Sequence, residues 1–447
     1  MGLFTRKKVN TLTRAELTDK LLMYLIGATP VVFYNYDTED YVSKGYGQNL
    51  DVYRIIKKIT DKANTSNGYL YIDSEAAKSN KSRRQITKSL KRNPTVQNIA
   101  KARIQVRKEL TFADEKTDLA MLFENPNYGQ TWTEMITLFR IFYFVQGEAF
   151  MYRESGDDDC AISLQVVPAH LMTPILDDGD ITGWRLDMFN GKYRTFEAKD
   201  ILHFKMPNPV FDSNAGHLRG ISPLAVGVKY LQLDDKALEA WIKSIENEGA
   251  KGIVSPSHSD PNFWMNPSQV DATQEAMEKK IYGSSNRNKI AVSGMPLQYT
   301  SIGLSPDALN IVKGLEHAGQ QLCTLWGISP VLFESNPTYE NQKIASERFI
   351  LDVIIPYLNN EEDKLNSWLV EPFIARDNKA YVYDYDLSAF EELRLSTDDI
   401  EAMLKVHTIN EVRAMIGDDE LPDEYANQVF IQSGLIPLSD YNVDAGL

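Results

Sequence analysis

The apolar positions change their period along the chain, and the changes predict a succession of elements. Over 14–26 and 49–63 they recur at helical spacing; in the second segment Leu50, Tyr53, Ile56, Ile59 and Ala63 fall on one stripe. Thr131-Trp132-Thr133-Glu134 has the form of a capping box. The run behind it, Trp132, Met135, Ile136, Phe139, Phe142 and Val145, predicts a helix that Gly147 ends. From 148 the period shortens. Segments 148–154, 163–168, 184–189, 192–196 and 200–206 are short and rich in Val, Ile, Phe and Tyr, which predicts strands, with Asn190-Gly191 as a type I′ hairpin turn.

The helical period then returns. Ser222-Pro223 supplies an N-cap and a first-turn proline for a helix over 222–249, striped by Leu224, Val228, Leu231, Leu238, Trp241 and Ile245. Its other side carries Asp234, Asp235, Glu239 and Glu246, relieved by Lys236 and Lys243. Residues 250–304 read as an insertion: a strand at 252–254, a polar loop, a helix near 268–282 and two strands near 289–302. Ser305-Pro306 opens a second helix, 305–327, through Leu309, Val312, Leu315, Leu322, Leu325 and Trp326. Two long amphipathic helices around a small excursion predict an antiparallel hairpin with the insertion at its tip. Such a hairpin is too narrow to bury its own apolar faces, and identical subunits around an axis would cover them. A polar loop over 328–343, with Pro330 and Pro337, precedes a helix over 344–376 that Pro356 should kink. The acidic stretch 377–447 holds a second capping box, Thr408-Ile409-Asn410-Glu411, for a short helix closed by Gly417.

Composition narrows the partners. The chain has 447 residues, 43% hydrophobic, which is enough for more than one structural region. Its formal charge of -15 is the reverse of what a protein that grips duplex DNA shows, so it either avoids nucleic acid or meets it without adhering. Cys160 and Cys323 form no CxxC pair, the start MGLFTRKK lacks the apolar core of a signal peptide, and no apolar run approaches a bilayer span. These features lead to an expectation of a soluble protein in a reducing compartment, with no membrane partner.

One stretch goes against the overall charge. Residues 76–108 carry Arg83, Arg84, Lys88, Lys91, Arg92, Arg103, Arg107 and Lys108, with Lys78, Lys81 and Lys101, and no acid between them. It reads either as a solvated face or as a contact with nucleic acid or with the acidic face of a neighbouring subunit. Motifs of concentrated chemistry are missing: no phosphate loop, no HExxH, no GxSxG, and six histidines without ligand spacing. His203, in an apolar strand, reads as a core histidine. Neither a catalytic residue nor a metal or other cofactor is expected. The rival readings are a Mg-dependent DNA-processing enzyme such as a nuclease, which would need clustered carboxylates, and another kind of tail or baseplate adaptor.

Six segments in order resemble the portal proteins of HK97-type tailed bacteriophages: the start MGLFTRKK; Asn49-Leu50-Asp51-Val52-Tyr53 through Asn64; Leu122-Phe123-Glu124-Asn125-Pro126-Asn127 with Gln130-Thr131 and Gln146-Gly147-Glu148-Ala149-Phe150; Asp200-Ile201-Leu202-His203-Phe204 with Gly220-Ile221-Ser222-Pro223-Leu224; Leu325-Trp326-Gly327-Ile328-Ser329-Pro330-Val331-Leu332 with Asn341 and Phe349; and Thr408-Ile409-Asn410-Glu411-Val412-Arg413. Glu148 departs from the asparagine usual there. None is specific alone; their order and spacing across nearly the whole chain are.

The resemblance implies an α+β portal fold: a mixed wing (1–221), a two-helix stem (222–249 and 305–327), a small α/β clip (250–304), a tunnel loop (328–343), a long kinked helix at the wing–crown junction (344–376) and a short helical crown in the acidic C-terminal region (377–447). It implies a homo-oligomeric ring, a 12-mer, at one capsid vertex of the virion, made in the host cytoplasm, through which DNA is packaged, retained and ejected. Implied partners are the terminase large subunit and then the head–tail adaptor at the clip, the major capsid and scaffold proteins, and double-stranded DNA, held transiently and without sequence preference. In the implied tunnel loop, Ser335, Asn336, Thr338, Tyr339, Asn341, Gln342 and Lys343 would touch DNA. Asp234, Asp235 and Glu239 would line the channel, where an acidic wall repels the duplex and lowers friction. The bland alternatives are a solvated helix face and a linker between helices.

Overall fold

The computed structural model describes residues 40–73, 90–92, 94–95, 98–99, 101–102, 110–177, 180–188, 191–210, 216–246, 252–256, 266–280, 297–301, 311–394, 397–416, 418, 420–431 and 436–437. The helix expected over 14–26, the strand expected near 289, Gly417, and Arg83, Arg84, Lys88, Arg103, Arg107 and Lys108 of the basic stretch lie outside the described residues. The chain divides into two compact units, Met1–Ala225 with Trp326–Leu447, and Val226–Leu325.

In the larger unit, Asn49 caps the first helix, α1 (Leu50–Ala63), its side chain accepting from the Val52 amide at 3.0 Å. Val52, Ile55, Ile56, Ile59 and Ala63 are buried, but Leu50 (74% exposed) and Tyr53 (44%) are not. The buried stripe starts at Val52, and Leu50, two residues earlier, falls on the opposite face. After β1 (Gly68–Asp73), β2 (Leu110–Phe112) and α2 (Asp118–Glu124) comes α3 (Trp132–Gln146), held at both ends by the expected chemistry. The Thr131 amide donates to the Glu134 carboxylate at 2.9 Å, the Glu134 amide donates back to the Thr131 hydroxyl at 3.3 Å, and Gly147 takes the left-handed conformation, φ 75°.

Six strands follow: β3 (Glu148–Ser155), β4 (Ala161–Val167), β5 (Met172–Asp177), β6 (Asp180–Asp187), β7 (Tyr193–Glu197) and β8 (Ile201–Lys205). They form two antiparallel sheets, ordered β4-β3-β8 and β5-β6-β7. Phe150, Val167, Met172, Trp184, Phe196 and Ile201, one from each strand, share a single core. β5 is not among the expected strands; Pro174 sits in it, and the strand lies at a sheet edge, where a missing N–H costs no ladder bond. At the β6–β7 hairpin the Met188 amide donates to the Lys192 carbonyl at 2.8 Å and Gly191 takes φ 68°; Asn190, the other residue of the expected turn, lies outside the described residues.

The helix expected over 222–249 is in two pieces, α4 (Pro223–Val226) and α5 (Val228–Glu246). Between them stands Gly227, where a Cβ would run into the Leu325 side chain. The smaller unit continues with β9 (Gly252–Pro256), α6 (Pro267–Lys280), β10 (Leu297–Ser301) and α7 (Ile311–Leu325). β9 and β10 pair antiparallel, Gly252 opposite Ser301. The approach of Gly227 to Leu325 sets the start of α5 beside the end of α7, so the two helices run antiparallel.

Back in the larger unit, a single turn (Pro330–Phe333) leads to α8 (Tyr339–Phe349), α9 (Ile355–Leu365) and α10 (Glu371–Asp377), joined by π-helical turns at Ile350–Ile354 and Asn366–Val370. Pro356 and Pro372 each stand at the second residue after a π turn, so the missing N–H falls where the ladder changes register. β11 (Tyr381–Tyr385) then pairs with β1, giving the sheet order β11-β1-β2, and α11 (Thr397–Leu404) precedes α12 (Ile409–Ile416). The second capping box forms: Thr408 and Glu411 exchange bonds of 2.9 and 3.1 Å. Deep in this unit Arg140 of α3 meets Glu361 of α9 at 2.6 Å, and the Tyr357 and Tyr385 hydroxyls each donate to the same carboxylate at 2.8 Å.

Candidate functional site

The separate motifs of the sequence meet where the chain leaves the larger unit and where it returns. At departure, the Ser222 hydroxyl donates to the Val145 carbonyl at 2.7 Å while accepting from the Ala225 amide at 3.3 Å, so one side chain caps the end of α3 and the start of α4. At return, the Trp326 indole N–H donates to the Phe144 carbonyl at 2.9 Å, and Gly327 takes φ 68°. Both ends are therefore pinned to neighbouring carbonyls in the last turn of α3. Gly147 and Gly220 pass so close that a Cβ on either would strike backbone, at Ile221 and at Gly147 respectively.

Glu148 binds this crossing together. Its carboxylate accepts from Arg219 Nε at 2.7 Å, from the Gly220 amide at 2.9 Å and from His203 Nε2 at 2.9 Å. Arg219 also donates to the Met172 and Ala169 carbonyls and lies over the Phe150 ring, whose other contacts include the stacked His203 ring. Burial alone would raise the Glu148 pKa; the Arg219 guanidinium and the His203 hydrogen bond outweigh it and hold the carboxyl at about 2. Burial lowers the His203 pKa against the pull of Glu148, which leaves a neutral ring donating from Nε2. The sequence reading placed His203 in a core and missed Arg219. The signal was the departure at Glu148: a carboxylate in that place needs a buried cation.

On α5, Asp235 and Glu239 are exposed one turn apart, while Asp234 is half-buried and stands about 100° around the helix from Asp235. The three do not make one acidic strip. Apolar side chains are exposed between and beside them: Tyr230, Leu233, Leu238 (48%), Trp241 (38%) and Ile242 (48%), with Val312 (47%) on α7.

The expected loop over 328–343 is largely ordered as helix. Pro330–Phe333 makes one turn, and Thr338 caps α8 by accepting from the Asn341 amide at 3.4 Å. Tyr339, Asn341, Gln342 and Lys343 thus belong to the first turns of α8, because Thr338 is an N-cap rather than a loop residue. Ser335, Asn336 and Thr338 stay in the short connection, and all seven side chains are exposed, Tyr339 at 83%.

Lys91 is a correction to the basic stretch. It is buried, ion-paired with Asp384 and, at 3.2 Å, with Glu362, and its pKa is raised because these two carboxylates outweigh the burial that would lower it. Arg92 lies 3.5 Å from Asp363. Both residues turn to acids of their own chain some 270 to 290 positions on; for Lys91 the reason is that a buried ammonium requires a carboxylate, while Arg92 makes a surface contact. Among the described residues, no group of His, Cys, Asp and Glu is arranged to hold a metal ion, and no helix is long and apolar enough to cross a membrane.

Comparison with known proteins adds the family. A search of the curated proteins finds no match. Among solved structures, a chain in the neck of a native gene transfer agent particle computed with C12 symmetry is similar at 18% identity and TM-score 0.59, over 90% of this chain and 99% of that one. A chain of the native gene transfer agent virion matches over the same shares at 18% identity and TM-score 0.60. An HK97 family phage portal protein from Corynebacterium diphtheriae matches at 11% identity and TM-score 0.46, over 75% and 93% of the two chains. The first two likenesses show a shared α+β fold. The model of the family described as phage portal protein matches residues 92–417, most of the sequence, and the chain therefore belongs to the phage portal protein family.

Proposed function

We propose that copies of this chain close into a ring, a dodecamer, at one vertex of a phage head, and that duplex DNA enters and leaves through its channel. The carrying observation is the exposed apolar set on the two long helices: Leu238, Trp241, Ile242 and Val312 are left 38–48% exposed. Full burial of such a side chain contributes about 1.5–3 kcal/mol, and the exposed share of these four, a little under half, is what a neighbouring copy seated on them would add. Membership of the portal family and the twelve-fold symmetry of the similar neck structure support a closed ring over an open chain of subunits. The protein is structural in this reading; the family match favours it over a DNA-processing enzyme.

The parts divide as follows. Asp235 and Glu239 on α5, exposed one turn apart, give the channel an acidic edge that does not hold phosphates, in keeping with the chain's charge of -15, while Asp234 stands off that line, four residues before Leu238 on the apolar side. Ser335, Asn336, Thr338, Tyr339, Asn341, Gln342 and Lys343 offer neutral hydrogen bonds and one cation to the passing backbone, which is positioning without readout. The insertion that holds β9, α6 and β10 docks the terminase large subunit and later the head–tail adaptor, while capsid and scaffold proteins seat the ring in the head.

Negative-stain images of the purified full chain test the ring. Closed annuli with an aperture wide enough for a double helix are expected; a population of monomers only, with capsid and scaffold proteins supplied, refutes it. Lys343→Glu tests the contact segment: packaged genome length should change, and unaltered packaging and ejection would reject a direct role for that residue.

A further inference from the structure

A groove of about 480 Å³ opens along the polar side of α1. Arg54, Lys57, Lys58 and Lys62 line it at helical spacing, facing Phe333 and Ser346. In a chain with fifteen more acids than bases, four cations on one face stand out. Three have a carboxylate: Arg54 with Asp51 at 3.2 Å, Lys57 with Asp61 at 2.6 Å and Lys62 with Glu392 at 2.6 Å. Lys58 has none within 4 Å among the described residues. Its ammonium lies 5.7 Å from the centre of the Phe333 ring, and the Arg54 guanidinium shares that ring at 5.0 Å. Two like charges held around one aromatic face repel each other, and an anion placed between them would relieve that repulsion.

The position of the groove identifies the anion. Phe333 is the last residue before the exposed connection at 334–338, and Ser346 stands on α8, which grows out of the same connection. Both roots of the segment assigned above to DNA therefore form one wall, and the cationic face of α1 forms the other. We propose that this groove is a second phosphate-binding site, taking backbone phosphates of the duplex that the 334–343 segment meets. Arg54 and Lys58 supply the charge, and the Ser346 hydroxyl stands by as a neutral donor. The inference rests on the portal reading. It adds a cationic foothold beside the neutral contact segment, weak enough that DNA still moves, because Asp51, Asp61 and Glu392 pair with three of the four cations.

Anisotropy titration of a short fluorescein-labelled duplex with the full chain, across a salt series, tests this. Arg54→Gln with Lys58→Gln should weaken binding roughly three- to ten-fold and lower the slope of log affinity against log salt by about one per cation removed. Lys116→Gln, on an exposed turn away from the groove, should change neither. Unchanged affinity and slope in the double variant, at an unchanged unfolding midpoint, overturns the proposal. Displacement of the duplex by millimolar inorganic phosphate equally well in wild type and double variant overturns it too; displacement in wild type alone supports it. If instead polyglutamate binds the groove more tightly than duplex does, the site is a protein contact and the DNA assignment is wrong. The portal reading fails separately, on the absence of rings, and the contact segment fails separately, on Lys343→Glu.

Discussion

The helix Trp132–Gln146 of the larger unit and the helix Val228–Glu246 of the smaller one both carry long apolar runs, yet they end in opposite conditions. The first buries Met135, Ile136, Phe139, Phe142, Phe144 and Val145, and even Arg140, inside its own unit. The second leaves Leu233, Leu238, Trp241 and Ile242 exposed and shelters Leu231. Length and pattern do not separate them; the number of layers around them does. The first helix has strands, α1 and α9 to pack on, whereas the second has α7 as its helical partner and needs a further surface. The larger unit buries its apolar side chains within the chain, and in the proposed ring the smaller one would bury its own against another copy, so substitutions in the two should be read by different experiments.

The largest effect is expected at the centre of the larger unit. Arg140→Leu leaves Glu361 and two tyrosine hydroxyls buried around a charge without its counter-ion. The cost should be about 3–5 kcal/mol, read as a drop in denaturation midpoint of the full chain. A loss below about 1 kcal/mol would mean that this core tolerates an unpaired carboxylate and that the contrast between the units is overdrawn.

Next comes pH. Glu148, held at about 2 when folded against 4.5 as the ordinary value, contributes stability that is complete above about pH 4.5 and is lost as pH falls through 2. The shift corresponds to about 3 kcal/mol. His203, whose pKa is lowered on folding, acts in the same direction: protonating it below pH 6.5 favours the unfolded chain. Glu148→Gln should flatten the acid limb of stability against pH. A limb of unchanged steepness would place the acid sensitivity elsewhere.

The same contrast explains which features could be read in advance. Local chemistry was legible: Thr131 with Glu134, Gly147 at the helix end, Ser222 before Pro223 and Thr408 with Glu411 act over three or four residues. The apolar stripe over 222–249 was legible in part: Leu238 and Trp241 on it are exposed, but Leu224 and Leu231 are buried, and the exposed Leu233 and Ile242 lie off it. Pairings across hundreds of positions were not. Lys91 looked like part of a surface basic run until Asp384 and Glu362 came beside it, and Arg219 carried no mark apart from Glu148. The strand that holds Pro174 was not legible because sequence does not reveal which strand lies at an edge, and Thr338 hid a helix start among other polar residues. In the proposed contact region, the fact that Tyr339–Lys343 ride on a helix was not readable.

A third test sharpens the contrast from the other side. Trp241→Glu should lower the unfolding midpoint of the isolated chain less than Arg140→Leu does, since the indole is already 38% exposed. It should weaken association between copies by about 2 kcal/mol per interface, roughly thirty-fold, seen as rings dissociating at higher protein concentration in mass photometry. A large fall in monomer stability with intact rings would reverse the assignment of this face.

The smallest effect serves as the calibration. Thr131 satisfies the Glu134 amide and receives the Glu134 carboxylate on its own amide, so Thr131→Ala removes one half of the capping box and leaves a helix otherwise held by buried side chains. A cap of this kind contributes about 1 kcal/mol. Thr131→Ser should restore most of it, because the hydroxyl rather than the methyl group makes the bond. Since α3 also carries the carbonyls of Phe144 and Val145 that pin Trp326 and Ser222, fraying from its first turn could in principle reach the crossing point. The buried Arg140–Glu361 pair stands between the first turn and those carbonyls, so the loss should stay local: hydrogen exchange should quicken at the amides of the first helical turn and remain slow from Phe139 onward. Faster exchange through the whole helix would show that the larger unit, too, depends on more than its own core.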